Sequence, residues 1–241
     1  MRALRLILRR EFLAYFRTPI GVVIAACVLL ADGLFFNAYA LGRGSKLSSE
    51  VLADFFYFSS GFVMIASVFL SMRLLAEERQ NASYPVLYAA PLRDWQIVLG
   101  KYLSAYGFLV LLVLATLYMP AMIFVNGRVS LGHIAGGYLG LLLLGAASLA
   151  IGVFGSALVR SQILAAITSA LILVTFLLFW LLSRVTDPPL AELLAYLALW
   201  DKHFRPFLDG VVSTGDAVYY LSLAIFFLLA STRVVEARRW R

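Results

Sequence analysis

Charged residues and cysteine are scarce in this sequence. Asp, Glu, Lys and Arg together make up 14% of the 241 residues, whereas hydrophobic residues make up 63%. A soluble domain has about 25% charged residues on average, and so apolar a chain cannot form a water-facing surface. The one cysteine, Cys27, excludes an intramolecular disulfide. The composition therefore indicates a protein with several membrane-spanning segments.

Motifs for catalysis and for nucleotide or metal binding are also missing. Residues 42–46 have the residue types of a phosphate-binding loop but neither its spacing nor a strand before it. His133 and His203 are far apart and have no cysteine partners, which argues against a metal site. No nucleophile is paired with a base. The net charge of +7 comes without the basic, aromatic surface of a nucleic-acid-binding domain. We therefore expect no enzymatic activity, no cofactor in this chain and no nucleic-acid partner.

Long hydrophobic runs dominate what is present. A hydrocarbon core of about 30 Å is crossed by about 20 apolar residues in a helix. The runs are continuously apolar rather than alternating, which favours helices over a barrel. We predict an all-α integral membrane protein, a single transmembrane domain over residues 1–241. Its six predicted spans are 20–41, 55–72, 97–125, 134–158, 163–182 and 217–231.

The distribution of basic residues predicts the orientation. Lys and Arg accumulate on the cytoplasmic side of membrane proteins. With both termini inside, fourteen of the 20 basic residues are cytoplasmic, so we predict an N-in, C-in topology. These fourteen are Arg2, Arg5, Arg9, Arg10, Arg17, Arg73, Arg79, Arg93, Lys101, Arg160, Arg233, Arg238, Arg239 and Arg241.

Residues 1–19 are predicted to form an amphipathic helix at the membrane interface. Arginines recur there at helical spacing opposite an apolar side, and Thr18-Pro19 ends the helix. The arginines can face anionic lipid. Whether the helix only anchors the chain or also contacts a cytoplasmic partner stays open. The candidate contact residues are Arg9, Arg10, Glu11 and Phe12.

A polar segment, residues 73–96, separates the second and third predicted spans. Ser83 suits a helix N-cap, and a helix over 86–89 would end at Pro91. Such a short helix is unstable alone and needs a docking surface. The alternative is a plain cytoplasmic loop. The candidate coupling residues are Glu77, Glu78, Arg79, Ser83, Tyr84, Val86, Leu87, Tyr88 and Pro91.

The outer loop over residues 184–216 is long and carries apolar stretches of its own. We predict one interfacial helix over 190–200 and a second, shorter one around Phe207. A long loop with its own structure is usually functional. Its candidate gate residues are Trp200, His203, Phe204, Phe207 and Gly210.

Asp32 is the one carboxylate inside a predicted span. An ionisable group in the membrane is a functional candidate. If Asp32 carried protons, the chain could be a secondary transporter. Alternatively, Asp32 lies in the outer half of the span and is capped by water or by Asn37.

Two features of the other spans bear on packing. Small residues recur every four positions in the fourth span and allow close helix contacts, which we expect to be mainly intramolecular. Pro120 should kink the third span. The small residues are Gly132, Gly136, Gly140, Ser148, Gly152 and Ser156.

Four stretches together resemble a known family. Residues 74–79 and 91–101, with 10–20 before the first span and 200–211 before the last, look like the permeases of ABC-2 type transporters. The gliding-motility-associated branch is the most similar. Ala82-Ser83 stand where members commonly have Gly-Thr, and Ser83 keeps the hydroxyl.

The resemblance implies a multi-pass subunit in a bacterial cytoplasmic (inner) membrane. Its partners would be two ABC ATP-binding subunits, which bind the ATP and Mg, and a second permease copy or paralogue, possibly one with a periplasmic domain. Membrane lipid surrounds the assembly, and residues 83–89 would be the coupling helix. We predict an ATP-driven export or force-transmitting permease without an ATPase of its own. A proton-coupled secondary transporter and a structural anchor of an envelope machine remain the alternatives.

Overall fold

The computed structural model describes residues 2–41, 47–80, 93–123 and 130–239. Most of these residues are helical, and none of them lies in a strand. Pro19 starts the second helix, since its fixed φ and missing N–H suit a first turn. The α-helices in these ranges are α1 (Arg2–Arg17), α2 (Pro19–Phe35), α3 (Ser48–Ser71), α4 (Ala76–Gln80), α5 (Asp94–Ala115), α6 (Tyr118–Ile123), α7 (Leu131–Leu158), α8 (Gln162–Ser183), α9 (Leu190–Leu197), α10 (Arg205–Leu208) and α11 (Thr214–Arg239). A π-helical segment, Phe36–Leu41, extends α2.

Within the described residues, six helical segments are long and apolar enough to cross a membrane, which confirms the predicted number and places of the spans. The second and the sixth are clearly longer than predicted, because α3 begins at Ser48 and continues through a turn into α4, and because α11 extends from Thr214 to Arg239. The six segments are Pro19–Ala38, Ser48–Gln80, Asp94–Ile123, Leu131–Leu158, Gln162–Ser183 and Thr214–Arg238.

Helix α7 forms the centre of the bundle and packs against α3, α5, α8 and α11. Of its most apolar stretch, 78% is buried, against 22% for the first span and 17% for α8. Glycine permits this packing: a Cβ on Gly137 would lie 2.1 Å from the Phe56 ring, and one on Gly152 would lie 2.0 Å from Ser71 Oγ. The small residues of α7 therefore serve contacts within the chain, as expected.

The third span is interrupted one turn before Pro120. Helix α5 ends at Ala115, and the chain turns at Thr116 and Leu117 before α6 begins. The Met119 N–H donates to the Thr116 carbonyl at 2.9 Å, a bond that closes the turn. Pro120 has no N–H to continue the α-helical ladder, which explains the predicted kink.

The outer loop differs from its prediction at one point. The predicted helix over 190–200 ends earlier, since α9 stops at Leu197 and Ala198 is extended. The Leu199 N–H instead donates to the Phe176 carbonyl of α8 at 3.2 Å. The Tyr219 and Tyr220 hydroxyls donate to the carbonyls of Leu197 and Leu199. Side chains of α11 thus satisfy the backbone groups that a longer helix would have used.

Helix α1 has the predicted bounds, but its apolar side packs on protein. Tyr15 stacks on Phe108 of α5 with ring centroids 5.0 Å apart, and Phe16 meets the same ring edge-on. Gly21 lets α2 pass closely, since a Cβ there would overlap the Tyr15 carbonyl. The opposite side of α1, including Arg10, is exposed. The helix is therefore part of the bundle at its cytoplasmic end.

Candidate functional site

An ionic cluster with a buried lysine at its centre joins three helices at the end that the sequence predicts to be cytoplasmic. The Lys101 ammonium of α5 lies 2.8 Å from Glu78 Oε1 of α4 and 3.6 Å from Glu11 Oε1 of α1. Arg10 lies 2.7 Å from Glu11 and 4.0 Å from Glu78. Lys101 is only 3% exposed. These four residues, the ionic cluster, balance two positive charges against two negative ones.

The cluster keeps Glu11 ionised. Burial alone would raise the pKa of this carboxyl, but Lys101 and the Arg10 guanidinium outweigh it and hold the pKa below its ordinary value. The hydrogen bond to Glu11 in turn raises the pKa of Arg10. Removal of one partner from a buried ion pair would leave the other as an uncompensated buried charge.

Arg73 ties the end of α3 to the junction of α1 and α2. Its Nε donates to Glu77 at 3.0 Å and a terminal nitrogen donates to Thr18 Oγ1 at 3.0 Å. The same guanidinium lies 5.4 Å from the centre of the Tyr15 ring, a cation–π distance. The Tyr15 hydroxyl donates to the Leu70 carbonyl at 3.1 Å. The root of the polar segment is thus fixed to α1.

Helix α4 is also fixed to the cytoplasmic end of α7. Arg79 donates to the carbonyls of Ala157 and Val159 at 2.5 and 3.1 Å. The Ser156 hydroxyl accepts from the Leu75 and Ala76 N–H groups at 3.1 and 3.0 Å. Carbonyls at a helix C-terminus lack intrahelical partners and attract positive charge. Arg79 therefore caps α7 and holds α4 there.

The structure brings together part of the predicted coupling set. Glu78 meets Glu11 and Arg10 in the ionic cluster, Glu77 binds Arg73, and Arg79 caps α7. Phe12 packs against Gly107 of α5, whereas Arg9 is exposed. The other predicted coupling residues lie outside the described residues: Ser83, Tyr84, Val86, Leu87, Tyr88 and Pro91.

Sequence reasoning missed Lys101, Arg73 and Ser156 as members of this site. Lys101 contributed only to the charge count of the topology. A lysine about two turns inside an apolar helix needs a partner, and Glu78 is one of the carboxylates on the same predicted side of the membrane. That signal could have predicted the pair.

The predicted gate residues form a second assembly at the outer end. His203 is 3% exposed; its Nδ1 lies 2.7 Å from Asp216 and its Nε2 lies 2.9 Å from the Tyr196 carbonyl. Its ring stacks on Tyr219 with centroids 3.7 Å apart. Trp200 Nε1 donates to Ser60 of α3 at 2.9 Å. The loop is thereby attached to both α3 and α11.

The rest of the gate set packs on α7. Phe204 and Phe207 are fully buried, and Phe207 lies against Gly140, where a Cβ would come within 2.7 Å. Gly210 has φ +74°, a left-handed conformation that favours glycine, and it adjoins His133 of α7. These residues pack the outer loop against α7.

A cavity of about 570 Å³ opens between α2, α3 and α8 near the outer end. Half of its lining residues are aromatic, and Trp200 connects it to the outer assembly. Gly61 adds space to the cavity, since a Cβ there would meet nothing within 4 Å. Among the lining residues are Phe35, Tyr57, Phe62, Trp180 and Trp200.

Comparison with known proteins assigns the family. No curated protein matches the chain. The family model described as "ABC-2 family transporter protein" matches residues 37–201, more than half of the chain. The match includes the polar segment, the central helix α7 and most of the outer loop. It does not separate branches, so the likeness to the gliding-motility-associated branch stays a prediction. With six apolar spans and this match, the chain belongs to the ABC-2 transporter family and is a multi-pass membrane permease component of an ABC transporter.

Proposed function

We propose that this chain couples ATP hydrolysis by partner subunits to export, or to force transmission, across a bacterial cytoplasmic membrane. Two ABC ATP-binding subunits would bind ATP and Mg, and this chain would supply half of a permease pair. The second half would be another copy or a paralogue. The observation that supports coupling is the Lys101–Glu78 contact, which joins the elements on both sides of residues 81–92.

A movement of a bound partner would reach the membrane-spanning helices directly. Gln80 ends α4 before the segment of residues 81–92, and α5 begins at Asp94 just after it. A push on the segment would therefore reach α4 and α5 together, and the ionic cluster would carry it to α1. Arg79 would pass it to α7. A coupling site needs such a connected element that ATP binding can bias between two states.

The outer assembly would be the other end of this route. Phe207 packs on α7 and Trp200 packs on α3, so movement of either helix would loosen the loop. The aromatic cavity beside Trp200 would then be a path or a resting place for an apolar substrate. The proposed gate role of Trp200, His203, Phe204, Phe207 and Gly210 rests on these contacts.

Affinity purification of the tagged full-length chain in mild detergent tests the proposal. We expect a co-purifying ATP-binding subunit whose ATPase activity depends on this chain. Leu87→Arg should abolish that stimulation without preventing membrane insertion. Leu47→Arg makes the same exchange at an exposed leucine at the outer end, and should leave stimulation unchanged.

Three results would contradict the proposal. A chain that purifies without a nucleotide-binding partner would favour the secondary transporter. Unchanged ATPase stimulation in Leu87→Arg would remove residues 81–92 from the coupling contact. Assembly and ATPase without any transported substrate would favour the structural anchor.

A further inference from the structure

Asp32 is a buried carboxyl that the coupling route does not use. It is 3% exposed, and Ser59 Oγ of α3 donates to it at 2.7 Å. Asp32 follows Pro19 by thirteen residues, or roughly 20 Å at 1.5 Å per residue, which puts it in the outer half of the span. The predicted partner Asn37 is exposed instead. Among the described residues, Ser59 rather than Asn37 is therefore the hydrogen-bond partner of Asp32.

No ion pair to Asp32 occurs in residues 2–41, 47–80, 93–123 and 130–239. A carboxylate in hydrocarbon surroundings is costly without a counter-charge. One serine hydroxyl does not replace the hydration that a carboxylate loses. The surroundings therefore suit a neutral carboxyl, with one oxygen accepting from Ser59 and the other bearing a proton.

A small cavity adjoins the carboxyl. Its volume is about 10 Å³, and its polar lining consists of Asp32, Ser59 and Thr116 among apolar side chains. That volume is close to the minimum for one water molecule, which needs two to four polar partners. The three polar side chains come from α2, α3 and the turn after α5, so a water there would connect three elements.

The hydrogen-bond directions around the cavity suit a donor at Asp32. The Thr116 hydroxyl donates to the Val113 carbonyl at 2.7 Å, so the Tyr138 hydroxyl 3.0 Å away donates to Thr116. Ser59 donates its own proton to Asp32. Both hydroxyl oxygens can therefore only accept hydrogen bonds from a water in the cavity. A water that donates to both hydroxyls has a lone pair left, and a neutral Asp32 carboxyl can donate its proton to that lone pair.

We propose that Asp32, Ser59 and Thr116 form a binding site for one proton and one water within the bundle, and that the bound proton holds α2 against α3 and α5. Loss of the proton would leave a carboxylate that must hydrate, and α2 would move away to admit water. The titratable groups facing the site are the Tyr138 hydroxyl of α7 and the Tyr118 hydroxyl of α6, beside Gly33. Ser59 is the polar group that α3 presents to it.

The single native cysteine provides the test. Cys27 is exposed on α2, five residues before Asp32, and a spin label there reports movement of α2. We would record its mobility as a function of pH in the full-length chain in lipid nanodiscs. The wild type should change from an immobile to a more mobile state as pH rises. Asp32→Asn, which mimics the neutral carboxyl, should lose the pH response and keep the immobile spectrum.

Matched serine variants localise the effect. Ser59→Ala removes the donor to Asp32 and should displace the midpoint of the pH transition. Ser67→Ala, two turns along the same helix, removes a buried hydroxyl that bonds only its own helix backbone at 2.8 Å, and should titrate as the wild type does.

Three outcomes would overturn the proposal: a pH-independent wild type, an Asp32→Asn variant that still titrates, or a transition that follows sodium concentration at fixed pH. Should Asp32→Asn fail to fold, infrared spectroscopy of the wild type with Ser59→Ala decides. A protonated-carboxyl band that shifts in Ser59→Ala supports the site, and its absence overturns it. None of these measurements needs ATP or a partner, so their failure leaves the coupling proposal intact.

Discussion

The ammonium nitrogen of Lys101 lies 2.8 Å from Oε1 of Glu78, and the lysine side chain is 3% exposed. The contact fastens the third span to the short helix that leads into residues 81–92. Glu11 shares the same ammonium from α1 at 3.6 Å. A single cation thus connects the N-terminal helix, the root of the polar segment and the membrane bundle.

Lys101→Met should destabilise the protein and uncouple it. The exchange leaves the Glu11 and Glu78 carboxylates without their shared cation, and loss of one partner of a buried ion pair costs about 3–5 kcal/mol. We expect a lower melting temperature, measured from the folded peak in size-exclusion chromatography after heating to a series of temperatures. We also expect weaker stimulation of the partner's ATPase activity. Lys202→Met, at an exposed position of the outer loop, is the control.

The double variant Lys101→Met with Glu78→Gln separates charge from shape. It removes one of the two stranded carboxylates and should recover part of the lost stability. No recovery would show that Lys101 acts through packing rather than through charge.

Glu11 should give the protein an acid-sensitive contribution to stability. Because its pKa in the fold is below the ordinary value, the contribution is present above the ordinary pKa, about 4.3, and is lost as pH falls through the lowered one. As the pH falls, the melting temperature of the wild type should therefore decrease more steeply than that of Glu11→Gln. Glu192→Gln, at an exposed residue of α9, should follow the wild type. Parallel curves for wild type and Glu11→Gln would refute the ionic cluster.

Gly61→Trp should block transport without unfolding the protein. The glycine lines the aromatic cavity and a Cβ there meets no atom within 4 Å, so a large side chain can fill the space at little cost. We expect partner assembly and melting temperature to be unchanged while transport in proteoliposomes is lost. Gly137→Ala is the contrast, because its Cβ would overlap the Phe56 ring and cost about 1–3 kcal/mol. Undiminished function in Gly61→Trp would favour the structural-anchor interpretation.

His203→Phe should loosen the outer loop. Phenylalanine keeps the stack on Tyr219 but leaves the largely buried Asp216 carboxylate and the Tyr196 carbonyl without their partner, at about 1–3 kcal/mol for each group. Trypsin added from outside should then cleave after Lys202 faster than in the wild type, whereas Pro206 protects the bond after Arg205. Asp201→Asn weakens only an exposed 3.8 Å pair with Arg205 and should resist cleavage as before. Equal cleavage in His203→Phe would mean that the loop is held elsewhere.

The fold was predictable because the length and the apolar composition of each span can be read from its own residues. The bounds of α1 followed from Thr18-Pro19, and the break before Pro120 followed from its missing N–H. Contacts between helices were not predictable, since they depend on how each helix is rotated about its axis. Asp32 therefore accepts a hydrogen bond from Ser59 of α3, a contact that the sequence did not predict. The predicted C-terminal end of α9, at residue 200, was wrong for a similar reason. Hydroxyl groups of α11 bind the carbonyls of Leu197 and Leu199, and the helix ends at Leu197.

The central position of α7 separates two demands that a transporter must meet. Arg79 holds its cytoplasmic end and Phe207 packs near its outer end, so one helix of 28 residues, about 42 Å, connects the proposed coupling site to the outer assembly. Helices α2 and α8, which bury the smallest share of their apolar stretches, border the aromatic cavity. Under the proposed export function, substitutions on those two helices should change which molecules are accepted and leave the contacts of α7 intact. Substrate preference could then evolve independently of the proposed ATP coupling.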